Sequence, residues 1–432
     1  MARCLRKSVY GRSSKHSLSA ALSSLVPERA SSAPISLRLS AAWGAWGLSG
    51  GIYTPFFGAW LAFQGLSPTK IGTLLSAGML LRVLVPPVTG IIADARNDRR
   101  SVLIALIGMQ FLGYLGLNWF LTPFEIFVFA VLANVSAAAA GPLMDSVSTR
   151  LAERLGFDYG HVKRWNSITF AIANVASGFA VSRFGLVVLA PWLTVSLALT
   201  LAAVAVLPAP PRGRSSGQIM IRLAATLAET RELLRSGAFL IFLLAVSLDQ
   251  GSHAFYYGYG GLHWRALGYS GALIGILWPL GVIIEALLFS ISLPLFRSLG
   301  VTRLLMLGAL GCVVRWTILA FDPPLALVIF AQLLHGATYT FAQLGAMYFI
   351  VNAVSPRLSA TAQSLYAVFS NGIVMGAATF AAGPLYANFG GRTYLLMSAM
   401  GAAAMVFAWW LGRAWHGGRL TQSGGEEIGD AI

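Results

Sequence analysis

From residue 37 onward, long apolar runs alternate with short polar stretches. Each run has about the length that a helix needs to cross ~30 Å of hydrocarbon at about 1.5 Å per residue. We therefore predict an all-α integral membrane protein with twelve transmembrane helices. The predicted spans are residues 38–63, 71–92, 102–121, 125–149, 164–183, 186–207, 238–261, 270–293, 303–321, 324–352, 359–386 and 391–412.

The longest polar stretch divides these spans into six and six. Residues 208–236 begin with Pro-Ala-Pro-Pro and are rich in arginine, so we predict a cytoplasmic linker there. It joins an N-terminal six-helix bundle, residues 37–207, to a C-terminal one, residues 237–413. Residues 1–36 are basic and rich in serine, which favours a disordered tail, although their composition also resembles a transit peptide. Residues 414–432 form a predicted cytoplasmic tail.

The two halves share a short motif at a constant offset of 203 residues. Parallel repeats of this kind, with a binding site between them, are an architecture of membrane transporters. The matched positions are Gly65-Leu66-Ser67 with Gly268-Tyr269-Ser270, Ile71-Gly72 with Ile274-Gly275, Tyr53 with Tyr256, and Arg82 with Glu285.

Composition and charge support a membrane protein. The chain is 57% hydrophobic and only 10% charged, whereas soluble domains average about a quarter charged residues. The net charge of +15 comes mainly from Lys and Arg in loops after even-numbered helices, which is the bias of cytoplasmic loops. We expect a multi-pass protein of the cell inner membrane, with both termini cytoplasmic and no nucleic-acid partner.

Known enzyme motifs are missing from the sequence. It contains no HExxH, no GxSxG, no P-loop and no His/Cys cluster, and its two cysteines suggest neither a disulfide framework nor a metal site. We therefore expect no enzyme activity, no cofactor and no metal, and we expect any transport to be secondary. A membrane sensor is a competing class, but the linker and the tail leave no room for a signalling domain.

Ionisable side chains inside the spans are the candidate functional residues. An ionised group near mid-bilayer costs at least about 2.5–3.5 kcal/mol, so it should face a cavity or a partner. A carboxylate can be neutralised by burial, whereas arginine stays charged and can bind a substrate carboxylate with two hydrogen bonds. Candidate proton-coupling residues are Glu285, Asp145, His253 and Asp249, and candidate substrate-binding residues are Arg82, Arg315, Tyr53, Tyr256, Tyr257 and His335.

For several of these residues a purely structural role is the alternative to a functional one. Asp145 is close enough in sequence to Arg150 to form an ion pair near a helix end. His253 and His335 can each join helices through hydrogen bonds alone. Asp249 and His253 are spaced i, i+4, so they share a helix face and can form a hydrogen-bonded pair.

The loop after the second span has a distinctive sequence, Gly90-Ile-Ile-Ala-Asp94-Ala-Arg96-Asn-Asp98-Arg99-Arg100. A glycine permits close helix approach, an aspartate can lie against a helix N-terminus, and the arginines can anchor at the membrane surface. We predict that Gly90, Asp94 and Arg99 take part in gating.

This loop resembles the G-x-x-x-D-(R/K)-x-G-(R/K)-(R/K) signature of the major facilitator superfamily, from which Ala95 and Asn97 depart. The chain resembles more closely the 3-phenylpropionate permease group, near the lactose permease and the nucleoside:proton symporters. The resemblance implies the major facilitator fold and uptake of an aromatic carboxylate with a proton by alternating access. We expect a monomer whose partners are a small organic solute, a proton and lipid. Segments that carry the resemblance include Asp158-Tyr159-Gly160, Tyr256-Tyr257-Gly258, Val313-Val314-Arg315-Trp316 and Leu334-His335.

Departures from this group leave the substrate open. Lys163 stands where the group has Arg, Asn166 replaces a Gly, and Asp249 stands where an apolar residue is expected. An added carboxylate beside His253 could alter proton affinity or disfavour an anionic ligand. A nucleoside or sugar symporter of the same fold is the alternative, and sodium coupling also stays open. The polar residues that favour this alternative are Gln250, Gln343 and Asn371.

Overall fold

The computed structural model describes residues 29–96, 98–119, 122–208 and 219–420, and these ranges contain helices and no strand. They form sixteen α-helices, joined by short turns and one π-helical segment, Val368–Val374. The helices are α1 (Arg29–Phe63), α2 (Pro68–Leu81), α3 (Val85–Arg96), α4 (Arg99–Gly116), α5 (Pro123–Leu155), α6 (Tyr159–Phe184), α7 (Leu189–Ala205), α8 (Ile219–Leu234), α9 (Gly237–Gly251), α10 (Ala254–Ala266), α11 (Gly271–Ser290), α12 (Ser292–Leu319), α13 (Leu325–Ala353), α14 (Ser359–Ala367), α15 (Met375–Phe389) and α16 (Tyr394–Ala414).

Each of the twelve predicted spans overlaps one or more helices of the structure. Within the described ranges, eight segments are long and apolar enough to cross a membrane, and the last of them, Pro356–Ala414, contains two predicted spans. The other three predicted spans lie in α1, α4 and α6, where glycines, arginines or polar residues lower the mean hydropathy. The all-helical fold class is thus confirmed, whereas the number twelve stays a prediction.

The repeated sequence motif has the same local structure in both halves. Gly65 and Gly268 both adopt a left-handed conformation, with φ of 83° and 87°, which favours glycine. Two residues later, Ser67 and Ser270 cap the N-termini of α2 and α11 and accept hydrogen bonds from backbone N–H groups at 3.4 and 3.2 Å. The turn glycine stops one helix and the serine starts the next, which explains why these positions match.

Helix packing repeats between the halves as well. In the first half α1 packs on α7 and α4 packs on α5 and α7; in the second half α9 packs on α16 and α12 packs on α13 and α16. Two contacts between the halves also correspond, α2 with α15 and α6 with α11. A third joins α1 to α10. The packing therefore follows an approximate twofold relation between the two halves.

The halves touch most closely at the end of the molecule away from the chain termini. A Cβ atom at Gly58 on α1 would lie 2.0 Å from the carbonyl oxygen of Gly258 on α10. A Cβ at Gly261 would lie 1.8 Å from the oxygen of Pro55, and one at Gly178 would lie 2.6 Å from the oxygen of Gly271. Only glycine permits backbones to approach this closely, and these contacts close the molecule at that end.

The N-terminal boundary differs from the prediction. Helix α1 begins at Arg29, so residues 29–36 are helical rather than part of a disordered tail. Hydropathy detects only the apolar part of a helix, and these first turns carry Ser and Pro. Residues 1–28 of the predicted tail lie outside the described residues.

The predicted linker also contains a helix, α8, which packs on α14. Glu232 on α8 pairs with Arg357 at 2.9 Å, and Glu229 accepts a hydrogen bond from Thr361 at 2.7 Å. Leu233 is fully buried in the adjoining core. Because α8 mixes charged and apolar residues, it contains no long apolar run, and the hydropathy pattern did not predict it. In the C-terminal tail, the Leu420 N–H donates to the carbonyl oxygen of Ala353 at 2.7 Å.

Candidate functional site

A cavity of about 360 Å³ lies between the two halves. We call the close contact between the halves around Gly58, Gly178, Gly261 and Gly275 the seam. The lining residues on α6 come before Gly178 in the chain, and those on α11 come after Gly275. The cavity therefore lies on the side of the seam that faces the chain termini. Its lining consists of Thr54, Asn166, Ser167, Phe170, Tyr256, Tyr257, Trp278, Val282, Glu285, His335 and Tyr339.

Aromatic rings form much of the cavity wall in the second half. Tyr256 stacks on Trp278 with ring centroids 4.4 Å apart and an interplanar angle of 13°. The Tyr256 hydroxyl accepts a hydrogen bond from Gln332 Nε2 at 2.7 Å, so the ring is held from both its face and its edge. Tyr257 lies beside it, with ring centroids 5.6 Å apart. These rings form a rigid apolar surface suited to a flat solute.

His335 joins this wall to a buried cation. Nη1 of Arg315 donates to Nδ1 of His335 at 2.8 Å, and Nη2 donates to Oε1 of Gln332 at 3.1 Å. Because arginine can only donate, Nδ1 must accept, and the proton of the neutral imidazole lies on Nε2. No described residue bonds to this Nε2. His335 therefore offers a hydrogen-bond donor at the cavity.

Arg315 itself lies behind the wall and does not line the cavity. Its side chain is fully buried, and its guanidinium lies 4.7 Å from the ring centroid of Tyr256 and 4.3 Å from that of Trp316. Among the described residues no carboxylate pairs with it, and its Nε has no partner. The aromatic rings stabilise the cation, but its charge is left to act on whatever occupies the cavity.

Glu285 is half-buried at the cavity and forms neither a hydrogen bond nor an ion pair with any residue that the structure describes. Arg82, which the repeat places opposite it, caps the C-terminus of α2, is exposed, and is not among the residues that line the cavity. The correspondence in sequence does not bring these two side chains together in this conformation.

The predicted Asp249–His253 pair forms through the backbone rather than through the carboxylate. Nδ1 of His253 lies 3.2 Å from the carbonyl oxygen of Asp249, and its Nε2 lies 3.2 Å from Oγ1 of Thr338. The helix is interrupted between α9 and α10, at Ser252 and His253, which changes the direction of the later side chain. The Asp249 carboxyl instead accepts a long hydrogen bond from the Cys312 thiol at 3.6 Å.

Asp145 pairs with Lys163, not with Arg150 as its sequence position allowed. Nζ of Lys163 lies 2.7 Å from Oδ1 of Asp145, which also accepts a hydrogen bond from the Tyr159 hydroxyl. Both charged side chains are about two-fifths exposed, at 43% and 40%. The partner comes from the next helix, α6, so helical spacing within α5 could not identify it.

Tyr53 lies outside the central cavity. Its hydroxyl donates to Oδ1 of Asn134 at 2.9 Å, and its ring stacks on Phe57 with centroids 4.5 Å apart. Tyr53 on α1 and Arg82 at the end of α2 therefore both belong to the first half, and neither is part of the wall formed by Tyr256.

The structure describes only some of the side chains of the predicted gating loop. A Cβ atom at Gly90 would meet nothing within 4 Å, so the predicted close helix approach at this glycine is wrong for this conformation. Arg99 begins α4 and donates to Oγ of Ser146 on α5. Asp98 caps the same helix by accepting from the backbone N–H of Ser101 at 3.0 Å. The side chain of Asp94 lies outside the described part of the structure.

Several residues of the site were not predicted, among them Gln332 and Trp278. Gln332 lies one helical turn before His335, so its place as a polar residue in a span could have marked it. Trp278 had no such signal, because an aromatic residue in a membrane helix is ordinary. Within the described ranges no group of three His, Cys, Asp or Glu side chains could hold a metal ion.

Comparison with known proteins identifies the family. A profile of the MFS_1 like family matches residues 47–397. The chain belongs to this family. A protein of Escherichia coli (strain K12) named "Probable 3-phenylpropionic acid transporter" is 32% identical over 82% of this chain and 92% of its own length. The maltose permease of Geobacillus stearothermophilus is 29% identical over 77% of this chain and 83% of its own.

Solved structures agree with the family. The crystal structure of the nucleoside transporter NupG aligns with a TM-score of 0.74 at 17% identity, covering 88% of this chain and 98% of that one. The crystal structure of the D-xylose-proton symporter aligns with a TM-score of 0.64 at 15% identity, over 87% and 94% of the two chains. The protein therefore has the major facilitator fold and is a membrane transporter, not an enzyme.

Proposed function

We propose that this transporter takes up a small aromatic carboxylate, such as 3-phenylpropionate, together with a proton by alternating access. The observation that carries the proposal is the cavity in which Glu285 and His335 lie beside the stacked rings of Tyr256 and Trp278. The relative at 32% identity, named as a probable transporter of 3-phenylpropionic acid, supports the same solute class.

The cavity suits one ring and one acidic group. Its volume of about 360 Å³ is near the lower end of the range of about 300–1,000 Å³ for small-molecule sites. The aromatic ring of the solute can stack against Tyr256 and Trp278. Its carboxylate can accept a hydrogen bond from Nε2 of His335. Arg315 behind the imidazole strengthens that bond, because its positive charge polarises the ring and attracts the anion.

Proton coupling follows from placing a second carboxylate beside Glu285. Two ionised carboxylates about 4 Å apart repel by about 4 kcal/mol at an effective dielectric constant of about 20. That energy corresponds to roughly a thousandfold loss of affinity. The anion therefore binds well only when Glu285 carries a proton, so solute and proton enter the cavity together. The loaded cavity gains no net charge, which lowers the cost of moving it within the membrane.

The conformation fits one stage of an alternating-access cycle. The seam is closed away from the termini, and the cavity lies on the termini side of it. With both termini in the cytoplasm of a cell with an inner membrane, as the Lys and Arg bias favours, this is the inward-facing state. We propose that the two bundles, residues 37–207 and 237–413, rock about the central cavity, with Asp94 and Arg99 in the gate.

Uptake of labelled 3-phenylpropionate into proteoliposomes, with and without an imposed inward proton gradient, tests the proposal. Protein-free vesicles are an essential control, because the neutral acid crosses lipid unaided and accumulates on the alkaline side. We expect accumulation above this background for the native protein. Glu285→Gln should lose gradient-driven accumulation but retain exchange of labelled for unlabelled solute. Glu153→Gln, at an exposed carboxylate on α5, should behave as the native protein. Equal accumulation by native protein and Glu285→Gln would remove Glu285 from the mechanism.

A nucleoside or sugar symporter is the second candidate. The wall on the first half carries Asn166, Ser167 and Thr54, and Oδ1 of Asn166 has no partner among the described residues. Such groups suit a solute with hydroxyls. By contrast, Gln250 and Gln343 do not line the cavity, and Gln343 is bonded to Tyr366 at 2.7 Å. Competition by nucleosides and disaccharides in the same vesicles separates the two candidates.

A further inference from the structure

A second carboxyl group lies deep in the C-terminal half, apart from the cavity. Asp249 on α9 is only 2% exposed. Its Oδ2 has no hydrogen-bond partner among the described residues, and its Oδ1 has only the weak thiol donor of Cys312 at 3.6 Å. Nothing in the mechanism above uses this carboxyl group.

The surroundings of Asp249 favour its neutral form. A buried carboxylate is stabilised by a cation or by several strong donors, and without them its desolvation is expensive. Arg315, the buried cation of this half, directs Nη1 and Nη2 to His335 and Gln332 instead. Titratable or charged groups around this part of α9 include His253, which follows it in the chain, and groups on the packed helices: Cys312 and Arg315 on α12, His335 on α13, Tyr366 on α14 and Tyr394 on α16.

Polar contacts run from the backbone of Asp249 toward the cavity. The carbonyl oxygen of Asp249 contacts Nδ1 of His253, whose Nε2 contacts Oγ1 of Thr338, each at 3.2 Å. That hydroxyl in turn donates to the carbonyl oxygen of His335 at 2.9 Å. The rings of His253 and His335 are 5.4 Å apart, and His335 lines the cavity. The Asp249 carboxyl itself is not part of these contacts. A change of its charge therefore reaches the solute site through space, by its electric field, and not along a chain of hydrogen bonds.

We propose that Asp249 is a second proton site of this transporter, separate from Glu285, which holds a proton in the present conformation and exchanges it during the cycle. The coupling part of this inference rests on the proposed proton symport; the protonation part does not. A second site means that one more proton crosses per solute than Glu285 alone would carry.

Infrared spectroscopy of the purified protein tests the protonation without any solute. We expect a protonated-carboxyl band at neutral pH that shifts on isotopic labelling of aspartate and is lost in Asp249→Asn. The matched control is Asp145→Asn, whose carboxylate is half-exposed and paired with Lys163, and it should keep the band. On raising the pH the band should disappear reversibly. Absence of a labelled aspartic-acid band at neutral pH would overturn the proposal. So would a band that persists at every pH at which the protein is folded.

Labelling the native chain keeps this test informative even if Asp249→Asn does not fold. The same spectra recorded with sodium instead of potassium distinguish a bound proton from a bound metal cation. If replacing potassium by sodium at constant pH removes the band, Asp249 is a cation site and the proposal is wrong.

The proton-to-solute ratio tests the coupling. It should be lower by one in Asp249→Asn than in the native protein. Two protons with one monoanion carry a net positive charge, so an imposed membrane potential should drive or oppose net uptake by the native protein in proteoliposomes. One proton per monoanion in Asp249→Asn moves no net charge, so uptake by this variant should not respond to the potential. An unchanged ratio with a titrating band would overturn the second site while leaving the proposed symport intact. If 3-phenylpropionate is not transported at all, the proposed solute fails, yet the infrared titration still decides whether Asp249 exchanges a proton.

Discussion

Adding one methyl group at Gly58 should shift the transporter away from the conformation described here. The Cβ atom of an alanine would lie 2.0 Å from the carbonyl oxygen of Gly258, whereas ordinary contact begins at 3.4 Å. Helices α1 and α10 must therefore separate by about 1.4 Å, the difference of the two distances. Both clashing atoms belong to backbone or to a rigid methyl, so no change of rotamer relieves the overlap.

The cost can be estimated from overpacked interiors, where inserted groups destabilise by about 1–3 kcal/mol. Applied only to the closed seam, this energy changes the ratio of the two conformers by about 5- to 150-fold. The effect is large because the opposite conformer, in which these backbones separate, pays none of this penalty. Gly58→Ala should therefore favour opening at the end away from the termini.

Distances between spin labels provide the assay. Phe63 and Leu267 lie at the ends of α1 and α10 and are 57% and 41% exposed, so a labelled cysteine at each reports separation of the halves. Gly58→Ala should move the distribution to longer distances. Gly108→Ala is the matched control, since its Cβ atom would meet nothing within 4 Å. An unchanged distribution in Gly58→Ala, or the same shift in the control, would refute the argument from seam packing.

Two other glycine substitutions should act locally. Gly281→Ala places a Cβ atom 2.6 Å from Cδ2 of His335, so it should weaken solute binding, roughly tenfold for each 1.4 kcal/mol lost, as measured by KM for uptake. Gly391→Ala places a Cβ atom 2.5 Å from Oδ1 of Asp322 and 2.6 Å from Nε2 of His263, breaking their 2.7 Å contact. Thermal unfolding should show a loss of about 1–3 kcal/mol. Native values of KM or Tm would contradict the respective prediction.

The sequence predicted the spans well because membrane helices can be recognised by their length and hydropathy. It also predicted the repeat correctly, since Gly65 and Ser67 have the same turn and cap roles as Gly268 and Ser270. It missed α8, whose stabilising contacts come from α14 rather than from its own composition. Local patterns predict elements, whereas tertiary contacts decide which marginal segments become helical.

Side-chain placement was harder to predict, because depth along a span does not fix the direction of a side chain. Tyr256 and His335 face the cavity, but Tyr53 faces Asn134 and Arg82 is exposed outside the cavity lining. Arg315 was identified as a buried charge, yet its position behind His335 depends on how α12 packs against α13. The sequence shows which charged residues the spans contain, but helix packing determines which of them a solute can reach.

Ion-pair partners that lie on different helices could likewise not be predicted from residue spacing along one helix. Asp145 had a plausible neighbour in Arg150, but Lys163 on α6 forms the ion pair. A single sequence shows spacing along one helix, and pairs between helices require the fold.

The most direct test of the account is the pH change outside lightly buffered proteoliposomes when 3-phenylpropionate is added with no imposed gradient. We expect alkalinisation beyond that of protein-free vesicles for the native protein and for Glu153→Gln, since at least one proton enters with each anion. Glu285→Gln should give only the protein-free signal. Solute entry without excess alkalinisation in the native protein, or native alkalinisation in Glu285→Gln, would contradict proton coupling at Glu285.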